Sequence, residues 1–337
     1  MNILLLGGGN SSENQVSLNS SKAMYEALVR LGHQVLAIDP TSGRKLIGSD
    51  GQFNSLLPHD QPNTPVADPQ RALATALGAP DMRKVDLVVL GLHGGAGENG
   101  TIQALLDLAG IKYSGSGMAA SAIAMNKAVS KRLFESEGIP TPAWLLVKYT
   151  GEKCEEAAVA EIQHRFTFPV IIKPNDGGST VGLTKVKSAS DISVALRAAA
   201  SEGERILVEE FIEGRELTVA VLDGEALPIV EIRPKNELYD YQAKYTKGMS
   251  EYIAPAEIED PLAAEIKASA VRAYDVVTAS GLARVDFMLA PNGQYYCLEV
   301  NTLPGMTNLS LVPMAAKCVG MDFDALMARI IKSALGQ

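Results

Sequence analysis

The chain has 337 residues, enough for two or three compact domains of roughly 100 to 150 residues each and too many for a single-motif binding module. Hydrophobic residues make up 47% and charged residues 20%, a balance too apolar for a disordered chain. The formal net charge of -9 argues against affinity for a nucleic-acid backbone, although local basic clusters can still hold a small anion such as a nucleotide.

Asn2 to Leu6 reads as a buried strand. Its apolar run has no basic leader and stops at Gly7-Gly8-Gly9, which fits neither a signal peptide nor a membrane span. Leu18, Met24, Ala27, Leu28 and Leu31 follow at helical spacing up to Gly32, and Val35 to Asp39 is the next strand. Beyond a polar, Pro-rich stretch around residues 40 to 70, Leu87 to Leu90 is a charge-free run suited to a strand covered on both faces. Strand and helix in alternation imply a parallel α/β sheet. Ile102, Leu105, Leu106 and Ala109 form a helix face ending at Gly110, and a turn through residues 113–117 places a first boundary near residue 115.

A second unit, residues 116–213, opens with a helix around residues 119–137, breaks at Pro140 and Pro142, and has short strands at 143–147, 168–173, 180–186 and 205–211. Strands this close together imply an antiparallel sheet. The third unit, residues 214–337, has strands near 216–222, 226–233, 284–289 and 294–300, with amphipathic helices near 261–279 and 321–334. The stretch 236–250 is polar and Tyr-rich without either period, which fits a lid or binding loop. Cys154, Cys297 and Cys318 show no C-x-x-C spacing and fit buried thiols in a reducing cytoplasm. The four histidines form no pair with zinc-ligand spacing.

The strongest chemical signal is Leu282-Ala283-Arg284-Val285-Asp286-Phe287, followed by Leu298-Glu299-Val300-Asn301. Residues two apart on a strand face one side, so adjacent antiparallel strands would gather Arg284, Asp286, Glu299 and Asn301. Magnesium takes hard oxygen ligands, one or two carboxylates together with substrate phosphates, and this set supplies them. A solvated strand face with chance ion pairs is the bland alternative, and the apolar residues alternating with the four make it the weaker one.

The second signal is a strand carrying Lys173 into the loop Asn175-Asp176-Gly177-Gly178-Ser179-Thr180, whose bare backbone N–H groups suit phosphates. The lysine precedes the glycines, so this is not the P-loop pattern. The third is Glu209-Glu210-Phe211-Ile212 with Glu216 beyond Gly214: a strand edge can read adenine and a carboxylate can hold ribose hydroxyls.

In this order and spacing the three signals resemble the ATP-grasp fold, and within it the chain resembles the D-alanine–D-alanine ligases over nearly its whole length. The resemblance is carried by Glu13 to Ser20, His93-Gly94 with Gly97 to Thr101, Tyr113 to Gly117, Met125-Asn126-Lys127, the lysine strand and its loop, Tyr239 to Tyr245, and Asn301 to Thr307. It implies a parallel α/β domain ahead of a two-lobed ATP-grasp unit. It also implies a cytoplasmic homodimer that makes D-alanyl-D-alanine for peptidoglycan precursors, with no membrane or nucleic-acid partner.

The same resemblance implies roles residue by residue. Lys127 and Lys173 would contact ATP phosphates, Glu209 to Ile212 would line the adenine hinge, and Glu216 would hold the ribose. Asp286, Glu299 and Asn301 would bind two magnesium (or manganese) ions. Glu13, Ser179 and Tyr245 would hold the first D-alanine, with His93 beside it. Arg284 and the Gly305 N–H would stabilise the oxyanion, while Ser310 and Lys244 would bind the second carboxylate with Leu311 packing nearby.

Gln15, Gly177 and Thr180 depart from the family's commoner residues, glutamate at the first two and serine at the third. Three further readings stand beside this one. The acceptor could be D-serine, D-lactate or another amino acid, although Tyr245 favours an amine. The first glycines with Asp39 could mark a dinucleotide-binding oxidoreductase, but Ser12 replaces the third glycine. The fold could also serve an idle ATP-binding protein.

Overall fold

The computed structural model describes residues 1–54, 84–235 and 249–336. The chain is built on three sheets in succession. The first is parallel, in the order β2-β1-β3, from β1 (Asn2–Leu6), β2 (Gln34–Ile38) and β3 (Leu87–Leu90). Strands β1 and β3 are apolar on both sides because both faces are covered. Ile3, Leu5, Leu87 and Val89 pack toward α1 (Asn14–Arg30), and Leu4, Leu6, Val88 and Leu90 toward the other face. There they meet Ile102 and Leu106 of α3 (Thr101–Ala109), which follows the single turn α2 (Gly95–Glu98). Gly110 closes α3 at φ 65, a left-handed value that glycine adopts without strain.

The second sheet is antiparallel, in the order β4-β7-β5-β6, from β4 (Trp144–Lys148), β5 (Val170–Pro174), β6 (Thr184–Val186) and β7 (Arg205–Glu210). The expected helix over 119–137 is two helices, α4 (Met118–Met125) and α5 (Lys127–Ser136). Asn126 breaks it by adopting an extended backbone and accepting a hydrogen bond from the Val129 N–H, so it caps α5. The expected strand over 180–186 begins only at Thr184, because Ser179 and Thr180 stand at φ 49 and 59 and turn the chain. Helices α6 (Glu152–Arg165) and α7 (Ile192–Ala200) cover this sheet through Ile162, Ala195, Leu196 and Ala199.

The third sheet runs β11-β10-β8-β12-β13, with β9 beside β8. Its strands are β8 (Arg215–Leu222), β9 (Glu225–Ala226), β10 (Val230–Pro234), β11 (Ser250–Ile253), β12 (Leu282–Leu289) and β13 (Tyr295–Asn301). The strand expected over 226–233 is divided between β9 and β10, with Pro228, which has no N–H to give a ladder, in the gap. Helix α8 (Asp260–Val276) packs on one face, and α4 and α5 join it there: Ala124 and Phe134 bury against Val285, Phe287, Cys297 and Val300. The last helices, α9 (Leu311–Lys317) and α10 (Phe323–Leu335), return to the first sheet, where Val312, Leu326 and Met327 share a core with Leu5, Leu18 and Leu28. The α/β and α+β architecture expected from the sequence is the one observed. Its crossovers bring the ends of all three sheets to one cleft.

Candidate active site

Strands β8, β12 and β13 place the acidic cluster. In the register Arg284 faces Asn301 and Asp286 faces Glu299, which gathers the four residues as the spacing predicts. The pairing then shifts by a bulge, and Phe287 faces Cys297. The bulge turns Leu298 as well as Glu299 toward the cleft, while Cys297 goes into the core. Arg284 grips Asp286 with Nε–Oδ1 at 2.9 Å and Nη2–Oδ2 at 2.7 Å, and the buried Thr218 hydroxyl donates to Asp286 Oδ1 at 2.6 Å. These groups are shielded rather than solvated: the Arg284 and Asp286 side chains are 15% and 12% exposed.

Helix α5 supplies two lysines one turn apart. Lys127 Nζ lies 3.0 Å from Glu299 Oε2 and donates to the Gly177 carbonyl at 2.8 Å. Burial pushes its amine down, but the Glu299 charge, with smaller pulls from Glu209 and Glu98, outweighs this and leaves it raised. Lys173, on β5, is paired with Glu209 of β7 at 2.5 Å. Burial raises the Glu209 carboxyl, yet Lys131 and Lys173 together overcome it and hold it down at about 2. Glu210, Phe211 and Ile212 continue from Glu209 along the cleft wall, opposite Glu216 at the start of β8.

Glu13 sits at the N-cap position of α1, but its side chain caps nothing there. It is buried and accepts a hydrogen bond from the Ser179 hydroxyl of the glycine loop. Gly94 and Gly178 leave room for it: a Cβ at either would meet Glu13 Oε2, at 2.7 and 2.5 Å. His93 is buried with both nitrogens engaged, Nδ1 2.8 Å from the Leu303 carbonyl and Nε2 2.9 Å from Ser20 Oγ. A carbonyl can only accept, so Nδ1 carries the proton and Nε2 accepts from the Ser20 hydroxyl. Ser20 Oγ in turn accepts the Met306 N–H at 3.1 Å. Burial lowers the His93 pKa, in keeping with a neutral ring. His93 therefore ties α1 to the 303–306 loop.

Ser310 begins α9 without capping it. Its Oγ accepts the Thr307 N–H at 2.9 Å. Gly305 lies beside it, so close that a Cβ added to the glycine would stand 3.2 Å from Ser310 Oγ. Tyr245 and Lys244 lie outside the described residues.

Two cavities run through these residues. One, of about 700 Å³, is lined by Glu13, His93, Gly305, Ser310 and their neighbours, and the other, of about 620 Å³, by Lys173, Glu209 to Ile212, Glu216 and Asp286. They share one wall, made of Lys127, Gly177, Gly178, Ser179, Arg284, Glu299 and Leu311. A molecule in one cavity would meet a molecule in the other at this wall, beside two cations, a carboxylate and a glycine loop.

The oxygen donors fit a metal bound together with phosphates. Among the described residues no three His, Cys, Asp or Glu side chains form a cage. Asp286 and Glu299 are joined instead by Asn301, whose Oδ1 is buried without a hydrogen-bond partner. Two carboxylates and a spare amide oxygen suit magnesium, which keeps positions for phosphate and water.

The departures from the family pattern separate here. Gln15 is exposed on α1 and donates to Asn19, away from Glu13. Gly177 stands at φ 136, where a side chain is strained, so this loop holds a shape that a glutamate would not adopt readily. The first glycines do not form a nucleotide loop. The Gly8 N–H is taken by Ser17 Oγ at 2.8 Å and the Gly9 N–H by Asp39 Oδ1 at 3.2 Å, while Gly7 makes room for Ser21. The oxidoreductase reading has no phosphate site left. Sequence reasoning also assigned no part to Glu98, Lys131 or Thr141. Glu98 lines the first cavity, where burial and then the Glu13 charge push its carboxyl up to about 7. The spacing of Lys131 four residues after Lys127 was the one signal for it.

Known proteins match at every level of this geometry. The family models "D-ala D-ala ligase N-terminus" and "D-ala D-ala ligase C-terminus" match residues 2–116 and 133–332. The D-alanine–D-alanine ligase of Gloeobacter violaceus is 42% identical over 338 residues, covering 99% of this chain and 100% of the relative. That of Syntrophotalea carbinolica is 39% identical over 332 residues, covering 98% and 95%. Among solved structures, the Bacillus anthracis D-alanine–D-alanine ligase complexed with ATP superposes with a TM-score of 0.77 at 28% identity, covering 100% of this chain and 98% of that one. The VanG D-Ala:D-Ser ligase of Enterococcus faecalis does so equally, with a TM-score of 0.77 at 29% identity and 99% of each chain. The backbone is thus common to ligases named for different acceptors. With both halves matched and near 40% identity over almost the full length, the chain belongs to the D-alanine–D-alanine ligase family.

Proposed function

We propose that the chain joins two D-alanine molecules in an ATP-dependent, ADP-forming ligation through a D-alanyl phosphate, as a step in making peptidoglycan precursors. The observation that carries this is the wall shared by the two cavities, which includes Lys127, Ser179, Arg284 and Glu299; a phosphate held on one side would meet a carboxylate held on the other there.

Glu209 to Ile212 line the adenine end, Glu216 takes the ribose hydroxyls, and Lys127 and Lys173 face the phosphates. Asp286, Glu299 and Asn301 would hold two magnesium or manganese ions. Bound there, such ions would supply neutralisation of phosphate charge. Glu13 pairs with the ammonium of the first D-alanine, and Ser179 and Tyr245 hold Glu13 in place. Arg284 and the Gly305 N–H stabilise the oxyanion that forms when the second amine attacks. Lys244 and Ser310 receive the second carboxylate, and Leu311 packs beside it. Positioning and electrostatics supply the rate, with no covalent enzyme intermediate.

A panel assay tests the acceptor. Phosphate release with ATP and magnesium is expected with D-alanine and not with L-alanine, D-serine or D-lactate; no D-alanine-dependent turnover would sink the reading. The family resemblance further supports a cytoplasmic homodimer divided near residues 115 and 213. Among the described residues no helix is long and apolar enough to cross a membrane. Light scattering should give twice the chain mass.

A further inference from the structure

Lys131 lines neither cavity, its side chain is 0% exposed, and yet it is one of the two cations paired with the Glu209 carboxylate. Its Nζ lies 2.6 Å from Glu209 Oε1, while Lys173 Nζ holds the other oxygen at 2.5 Å. The same Nζ donates to Thr141 Oγ1 at 2.6 Å, and that hydroxyl donates to the Cys297 carbonyl at 2.8 Å. Cys297 is on β13, two residues from Glu299, and its N–H is bound by the Pro140 carbonyl at 2.7 Å. One turn earlier on α5, Lys127 reaches Glu299 itself. A single helix face thus grips a carboxylate of the second sheet and a carboxylate of the third.

We propose that Lys131 is a positioning residue for the nucleotide, fixing the Glu209 carboxylate between two cations and fastening it through Thr141 to the strand that carries Glu299. This rests on the reading of the second cavity as the ATP site. The electrostatic consequence is specific. Two lysines on one carboxylate leave a net positive charge, so Lys173 can turn toward phosphates while Glu209 remains paired. Without Lys131, the buried Glu209 has Lys173 as its one paired cation and withdraws it from the nucleotide. A buried ammonium that touches no ligand would otherwise contribute little, since a well-packed apolar group of its size is commonly as stable.

The test is steady-state kinetics of the full chain with Lys131→Met and Thr141→Val, varying ATP and D-alanine separately. Thr141→Val keeps the shape and both charges, so it reports even where loss of Lys131 prevents folding. Lys131→Met is expected to raise the KM for ATP about tenfold or more and Thr141→Val about threefold, the range of one buried charged contact and one hydrogen bond. The KM for D-alanine should stay within about twofold in both. An ATP KM within about twofold of wild type for Thr141→Val and for folded Lys131→Met, or an equal rise for both substrates, would overturn the proposal. A wild-type protein with no saturable ATP dependence would instead overturn the ATP-site reading, and this inference with it.

Discussion

The Ser179 hydroxyl donates to the Glu13 carboxylate across 166 residues of sequence, fastening the glycine loop of the second sheet to the first helix of the chain. Ser179 lines both cavities, so the contact stands in the wall between them. Ser179→Ala removes a hydrogen bond to a buried charged group, worth about 1.5–3 kcal/mol. The expected result is a fall in kcat/KM for D-alanine of about tenfold to a hundredfold together with a melting temperature lowered by several degrees, checked by kinetics and calorimetry together.

Two glycines separate function from stability. At Gly178 an added Cβ would meet the tip of the Glu13 side chain at 2.5 Å, and a flexible tip can move. Gly178→Ala should therefore stay within about 1 kcal/mol of wild-type stability while the KM for D-alanine rises about tenfold. At Gly214 the Cβ would meet the Leu289 carbonyl oxygen at 2.1 Å, and backbone in a strand cannot step aside. Gly214→Ala should cost about 2 kcal/mol or more in denaturant unfolding.

Glu98 makes stability depend on pH. Its carboxyl is pushed up to about 7 by burial and then by Glu13, so between the ordinary carboxylate range and about 7 the folded chain holds a proton that the unfolded chain has released. Stability from this group is present at low pH and is lost as pH rises toward 7, on the order of 3 kcal/mol. Glu98→Gln keeps an acceptor for the Gly94 N–H, which donates to Glu98 at 3.0 Å. The variant should melt higher than wild type at pH 8 and at nearly the same temperature at pH 5.

Glu299→Ala should abolish peptide formation and leave the protein folded, since Glu299 is on the cleft side of β13 and its neighbours Cys297 and Val300 carry the packing. Circular dichroism together with product detection checks this; near-normal turnover would remove Glu299 from the metal site.

The β12–β13 cluster was legible because residues two apart on a strand share a face, and the register brings together the four residues that the sequence placed side by side. The bulge at Asp286 was not, since nothing in Leu298 marks an inserted residue. Asn126 illustrates a second failure: apolar residues on both sides read as one helix, while the capping hydrogen bond that splits it depends on a backbone turn no periodicity encodes. The sequence reading also omitted α6, which presents a charged surface with few apolar positions, and α9, which is barely two turns long. Within the site, Glu13 and Ser179 were reachable only by resemblance, because their contact joins distant segments. Thr141 was silent, and Lys131 had only its spacing from Lys127, for a related reason: contacts to two different sheets set their surroundings, and no local pattern encodes that.

The most direct test of the two-cavity mechanism is a crystal structure with ADP, magnesium and a phosphorylated D-alanine dipeptide analogue. The expected result is adenine beside Glu209 to Ile212, the phosphorylated group at the wall formed by Lys127, Ser179, Arg284 and Glu299, and the analogue's first amine at Glu13. An analogue seated away from Glu13, or a nucleotide whose phosphates lie away from that wall, would contradict it.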